Sequence, residues 1–459
     1  MIRWAKFIKL QGKFKMINMF SHIYSKLTAL LLLSILLTMP LLVQSQEILK
    51  LEKEEEYSLN LEDKIEKYEF TLDFKLEKYT AITPGLEIDL GSAVLKIFAC
   101  SGPKPKPGIY LYKGDDLIAD NPLLVHVGHW YRLILHSDGI TTTAEITALD
   151  DSIVGYVEIV PSLFIQGLAF DGEYWYYTAT SMIFKVDKNG KIVDYNDYPI
   201  PKELREKGYF HLGDPEYHEG LLFIPVEKEG YVKPSIIAIY SAETLQLERY
   251  AYTQQDHLPW LTVDDKGRVY SSEFDPASEI YVYSLEEIGE GNELEPIDVI
   301  ELDKPLRGVQ GGAFYKGKLY FSVLDRKAYS VDPGKGVVEE LIDLPVVHEM
   351  EGIEVYELED GTLYHILVNT WGEENIVFHY RKIRSGETIK LFKVGEGTPI
   401  GPVVKIKAGT PLMIKEPKVG GIKTELLDPM LMYILGFILT AILVVLIIKK
   451  RKAPLQHLQ

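Results

Sequence analysis

Between residues 164 and 384 the hydrophobic positions come in short alternating runs, each broken by a glycine turn. Alternation every second residue marks a strand with one face inward and one outward. Five segments repeat one phrase, a glycine leading into a run that ends in an aromatic. They are Gly172-Glu173-Tyr174-Trp175, Gly220-Leu221-Leu222-Phe223, Gly267-Arg268-Val269-Tyr270, Gly317-Lys318-Leu319-Tyr320 and Gly361-Thr362-Leu363-Tyr364. Their glycines lie 48, 47, 50 and 44 residues apart. A short, mostly apolar run precedes each glycine (GLAF, PEYH, LTVD, GGAFY, IEVY). An alternating run follows each, at 182–187, 236–241, 279–284, 328–332 and 376–381. A fourth run closes some units, at 245–252 and 297–302.

Four strands per roughly 45 residues is the period of a β-propeller blade. A four-stranded antiparallel unit that is apolar on both faces cannot be buried alone, and radial packing covers both faces while leaving short edges. The pattern therefore predicts an all-β chain with a propeller over 161–384. Each turn glycine is expected at positive φ, and each aromatic in the wedge between blades. Five blades are visible, and strands from 129–160 leave a sixth open. An irregular β-sandwich or a β-solenoid is the competing arrangement.

Residues 46–160 are also strand-like but lack the repeat. They contain YEFTLDFKL (68–76), LEIDLGSAVLKIFA (86–99), a turn from Pro103 to Gly108, and GHWYRLILHSDGITTTAEITAL (128–149). This predicts an N-terminal β-sandwich. Residues 385–429 read as two or three β-runs, able to close the last blade, followed by a Pro/Gly-rich juxtamembrane stalk.

The ends read differently. Residues 27–43, LTALLLLSILLTMPLLV, follow six basic residues (Arg3, Lys6, Lys9, Lys13, Lys15, Lys26) and end in Val43-Gln44-Ser45. That is the order of a secretory signal peptide over 1–45, with Met16 or Met19 as alternative starts and an uncleaved anchor as the alternative reading. Met430 to Ile448 is an uncharged stretch of 19 residues followed by Lys449-Lys450-Arg451-Lys452. At 1.5 Å per residue it spans about 28 Å, which predicts a single C-terminal transmembrane helix over 430–448. The basic tail, 449–459, is then cytoplasmic and the large N-terminal part extracellular, at the cell membrane.

Composition sharpens this. The chain has 459 residues, a net charge of −18 and one cysteine. The acidic balance argues against nucleic-acid binding. The terminal segments supply many of the cations, so the head is more acidic than the total. Cys100 cannot form an internal disulfide and reads as a small buried hydrophobe, leaving packing to hold an exported fold. With 39 Lys to 10 Arg, 8 Asn and 10 Gln, residue usage follows the Lys/Glu-rich, amide-poor bias of hyperthermophiles, which AT-rich codon usage also produces. No Asn-x-Ser/Thr sequon, Gly-x-Ser-x-Gly elbow, P-loop or Gly-x-Gly-x-x-Gly occurs.

The repeat, with phrases such as Val309-Gln310-Gly311-Gly312-Ala313-Phe314-Tyr315 and Glu349-Met350-Glu351-Gly352-Ile353, resembles NHL-repeat, YVTN-repeat and gluconolactonase-like propellers. That resemblance implies an axial ligand channel and no particular activity. Gly128-His129-Trp130-Tyr131-Arg132-Leu133, followed by Ser137-Asp138-Gly139, resembles the late strands of a laminin-G/concanavalin-like sandwich, which implies a carbohydrate- or protein-binding module.

Aligning the five units brings Phe164, His211, His257, Gly308 and His348 into one column. Three places on stand Gly167, Asp214, Trp260, Gly311 and Glu351, and between them Gln166 and Gln310 coincide. In a propeller a column becomes a ring around the channel. His211, His257 and His348, with Asp214, Glu216, Asp256, Glu349 and Glu351 nearby, offer ligands for a divalent metal or a general base. Gln166, Asp214, Glu273, Gln310, Glu349 and Glu351 are the channel candidates for ligand binding. The leading expectation is a membrane-anchored surface protein that binds a ligand, glycan or protein partner. The alternative is a metal-dependent extracytoplasmic hydrolase of lactonase, esterase or phosphoesterase type.

Overall fold

The glycine phrases become hairpins in the structure, a computed structural model that describes residues 47–80, 82–99, 106–344 and 348–421. Gly172, Gly220, Gly267, Gly317 and Gly361 all have positive φ, between 71° and 96°. That is the left-handed turn conformation that glycine adopts without steric penalty. The aromatic that ends each phrase is buried: Trp175, Phe223, Tyr270, Tyr320 and Tyr364.

Five small sheets follow one another. The first runs Gly167–Phe170, Trp175–Ala179, Met182–Val186, Ile192–Asn196. In the second, Tyr209–Leu212 and Glu216–His218 both pair with Leu221–Lys228, followed by Ser235–Ser241 and Leu247–Thr253. The third runs Thr262–Val263, Arg268–Ser271, Ala277–Ser284, Asp298–Leu306, and the fourth Val309–Tyr315, Lys318–Val323, Lys327–Asp332, Val337–Asp343. The fifth begins Glu349–Val355, Tyr364–Asn369, Glu374–Ile383, and its fourth strand is Ser152–Pro161, taken from before the first sheet, with the short Leu124–Val125 at the edge. The first strands of consecutive sheets touch, and the first strand of the fifth sheet touches that of the first, so the five inner strands form a closed ring. This is a β-propeller-like arrangement. The strand at 152–161 closes it by antiparallel pairing of Ser152 with Ile383 through Pro161 with Glu374. It thereby completes the fifth sheet and builds no sixth.

Apolar side chains fill the wedges between neighbouring sheets. Phe223 packs with Leu261 and Val263 between the second and third sheets, and Tyr270 with Leu319 and Phe321 between the third and fourth. Trp175 packs with Leu367 and Val377 between the first and fifth. This is the burial that an isolated four-stranded unit could not obtain.

The remaining strands form two larger sheets. One contains Lys67–Leu76, Tyr131–Asp138, Thr142–Ala148 and Thr388–Val394, with Leu412–Lys415 and Lys418–Gly421 on the free side of Lys67–Leu76. The other runs Glu56–Asn60, Ile400–Ala408, Leu86–Gly91, Val94–Phe98, Gly108–Lys113, Asp116–Asn121. Burial alternates along Leu86–Gly91 and Thr142–Ala148, so each sheet buries one face. The segment from 388 to 421, read from sequence as an extension of the last blade and a stalk, returns to pair inside both of these sheets. Alternation alone could not say which sheet its strands would join. Trp130 is half-buried, with the Lys75 and Lys415 ammonium groups 6.0 and 5.0 Å from its ring centre.

Among the described residues no helix is long and apolar enough to cross a membrane. The signal peptide over 1–45, the transmembrane helix over 430–448, the tail and Cys100 all lie outside the described residues.

Candidate functional site

At the centre of the ring sits Asp214, 1% exposed. Its Oδ1 accepts from the Leu168 N–H (3.0 Å), and its Oδ2 accepts from the N–H groups of Gly312 (3.1 Å) and Ile353 (3.3 Å). One carboxyl on the second sheet thus ties the inner strands of the first, fourth and fifth. Glycine makes room for it. A Cβ on Gly167 would lie 2.2 Å from Asp214 Oδ1, and one on Gly352 2.0 Å from the same atom. Beside it, a Cβ on Gly312 would strike Trp260 at 2.2 Å. Burial pushes the Asp214 carboxyl well above the usual range, opposed by the three N–H donors.

Further along the axis lie Glu216 and Glu354. Glu354 accepts from the N–H groups of Phe170 (3.0 Å) and Val355 (2.7 Å), and Glu216 accepts from the Thr262 hydroxyl. Burial raises Glu354 to about 7. Burial, and then the neighbouring Glu354, drive Glu216 well up.

On the other side of Asp214, at the starting ends of the inner strands, is a cavity of about 260 Å³. Every sheet contributes to it: Gln166 from the first, His211 and Tyr231 from the second, His257, Pro259 and Phe274 from the third, Gln310 from the fourth, and Glu349, Glu351 and Trp371 from the fifth. Gln310 Nε2 donates to Glu349 at 2.7 Å, and Asn369 Nδ2 donates to Glu351 at 3.3 Å. Burial raises both carboxyls. Glu351 moves further because it is more deeply buried, with Glu349 and Asp214 adding to the effect.

The channel candidates thus separate. Gln166, Gln310, Glu349 and Glu351 line the cavity, and Asp214 lies beneath it as a structural hub. Glu273 stands behind the wall, accepting from the N–H groups of Asp256 (3.2 Å) and His257 (3.0 Å). Of the three histidines, two meet. His211 Nδ1 lies 3.0 Å and His257 Nε2 3.6 Å from one oxygen of Glu227, which is fully buried. Burial lowers the His257 imidazole. His348 is not among the cavity's lining residues. Among the described residues no three His, Cys, Asp or Glu side chains come together as ligands of one ion. Of the three histidines expected as a metal set, the structure brings His211 and His257 to one carboxylate and leaves His348 out of the cavity lining. Equivalent positions stand on different sheets around the axis, and His211 and His257 turn to the carboxylate between them.

Sequence reasoning missed Glu227 and three aromatics, Tyr231, Phe274 and Trp371. Each aromatic lies in the loop between the second and third strands of its sheet. Tyr231 stacks on His257 (4.1 Å between centroids), and Phe274 packs on its other side (4.5 Å). Trp371 is 74% exposed. The signal available was an aromatic recurring in equivalent loops, obscured by loops of unequal length.

A second cavity, about 300 Å³, opens between the first and fifth sheets beside Tyr156, Trp175 and His379. Behind it the buried His365 Nε2 donates to the Tyr356 carbonyl (2.8 Å), because a carbonyl can only accept. Neutral His365 must then accept at Nδ1 from His379 Nδ1–H (2.7 Å), and His379 Nε2 faces Glu158 at 3.2 Å. Burial, then the neighbouring His379, lower His365 to about 3.

No family model and no curated protein matches the chain. Among solved structures, it is similar to a glutaminyl cyclase from Myxococcus xanthus at 14% identity and a TM-score of 0.37, covering 50% of this chain and 97% of that one. It is also similar to a PQQ-bound aldose sugar dehydrogenase from Streptomyces coelicolor at 10% identity and a TM-score of 0.29, covering 52% and 100%. Likeness at this level passes no activity to this chain.

Proposed function

We propose that this is a cell-surface binding protein, a five-bladed β-propeller that takes a small ligand into the cavity at one mouth of its ring. An accessory sandwich would contact a glycan or protein partner, and a single membrane span would anchor both. Convergence supports the binding part: all five sheets deliver side chains to one cavity. Backbone conformation adds to it. Tyr231 and Trp371 both hold φ near +50° to +56°, a region that bulky residues rarely occupy and that tends to be retained where it aims a functional side chain. The anchoring part rests on the sequence of the two ends.

The binding reading is tested by titrating the full-length protein with a panel of small ammonium ions, carboxylates and sugars while following tryptophan emission and melting temperature. A saturable response that is lost in Trp371→Leu is expected; a panel that moves neither observable removes the reading. Anchorage is tested by cell fractionation with protease treatment of intact cells, where recovery in the cytosolic fraction would count against it.

A further inference from the structure

Resting on that reading, we infer that the ligand of the axial cavity is a small organic ammonium ion. The sign of the lining comes first. Glu349 and Glu351 face the cavity, Glu227 and Glu273 stand behind its wall, and among the described residues no lysine or arginine lines it. Glu351 is 4% exposed, and the described hydrogen bond to its carboxyl is a single long one from Asn369. Carboxyl groups taken out of water without a cation nearby are destabilised, and a positive charge placed between them restores the balance. An anionic ligand would be repelled, and a neutral one would leave the carboxyls uncompensated.

The second point is the kind of cation. Inorganic divalent ions need several oxygen or nitrogen ligands converging on one point, and among the described residues no three His, Cys, Asp or Glu side chains are placed to supply them. What the cavity offers instead is aromatic surface. Tyr231, Phe274 and Trp371 come from equivalent loops of three sheets, and Tyr231 and Trp371 are the only aromatics among the described residues with a left-handed backbone. Aromatic faces beside carboxylates attract weakly hydrated organic cations through the ring quadrupole. The amides of Gln166 and Gln310 add orientation without charge. A volume of about 260 Å³ is at the small end for ligand sites, which fits a small ion better than a chain.

The test compares tetramethylammonium with tert-butanol, a neutral molecule of similar branched shape, by calorimetric titration of the full-length protein. Tetramethylammonium should bind saturably and at least tenfold more tightly than tert-butanol. Glu351→Gln, which keeps the volume and removes the charge, should weaken it at least tenfold, and Trp371→Leu severalfold, with melting curves confirming that both variants fold. Equal affinity for the neutral molecule, or an unchanged Glu351→Gln, overturns the cation inference. If glucose or another neutral probe binds saturably in those experiments, the pocket reading stands while this inference falls. If no probe of any class binds, both fall.

Discussion

Asp214 shows how one residue can organise a ring. Its carboxyl satisfies three backbone N–H groups that face the axis on three different sheets, where no neighbouring strand is placed to receive them. Leaving three buried donors without an acceptor costs about 1–3 kcal/mol each. Asp214→Ala is therefore expected to destabilise the fold by about 3 kcal/mol or more, read from the denaturant midpoint at unchanged slope. Gly352→Ala tests the same point from the other side. Its methyl would sit 2.0 Å from Asp214 Oδ1, with the Gly167 backbone at 2.6 Å, and rigid backbone cannot give way. A loss of similar size is expected, and a variant melting within a degree of the parent would show that the axis is softer than this geometry implies.

At the scale of elements, the decisive feature is the returning segment from 388 to 421. Arg132 Nε and Nη2 bond the two oxygens of Asp73 at 2.6 and 2.9 Å, and Lys415, on a returning strand, reaches the same carboxyl at 3.4 Å. Burial would raise Asp73, but its Arg132 and Lys415 contacts outweigh that and hold it below the usual range. A depressed carboxyl stabilises above its unfolded value near 4 and loses that contribution as pH falls through the folded value. Asp73→Ala should accordingly cost about 1–2 kcal/mol near neutral pH, discounted because Arg132 is partly exposed, and less as pH falls below about 4. Thermal melts of parent and variant at pH 7 and pH 3 check this. Deletion of 388–421 strips strands from both large sheets and exposes their buried faces, so the truncated chain should be recovered insoluble. A soluble, cooperatively melting truncation would mean that the ring alone carries the stability.

For the whole molecule, two sets of buried groups pull stability in opposite directions with pH. Glu354 rises to about 7 in the folded state, and Glu216 and Glu351 move the same way. Between about 4.5 and 7 the folded chain keeps a proton that the unfolded chain has released, so this contribution is full below about 4.5 and fades as pH rises through 7. His365 does the reverse. It lies near 3 when folded, against about 6.5 when unfolded, so its contribution is full above about 6.5 and fades as pH falls toward 3. Each unmatched proton changes stability by about 1.4 kcal/mol per pH unit. Glu354→Gln should therefore remove part of the decline between pH 5 and 8, and His365→Asn should flatten the acid limb. Melting curves across pH 3–8 separate the two, and parallel curves for parent and Glu354→Gln would show that this carboxyl is already ionised in the folded chain.

Much of this was legible in the chain itself. Alternation with recurring glycine determined the strands and turns, because period two and positive φ are local requirements that each segment must meet by itself. The column of Gly167, Asp214, Trp260, Gly311 and Glu351 likewise pointed toward the axis, since equivalent positions in a ring face the same centre, although Gly352 rather than Glu351 packs on Asp214 and Glu351 lines the cavity. Only the tertiary structure decided which strand closes the ring, which sheets the segment after 388 joins, and that His211 and His257 turn to Glu227 with His348 left outside the cavity lining. These depend on partners far apart in sequence, and hydrophobic period carries no information about a strand's neighbour or a side chain's counter-charge.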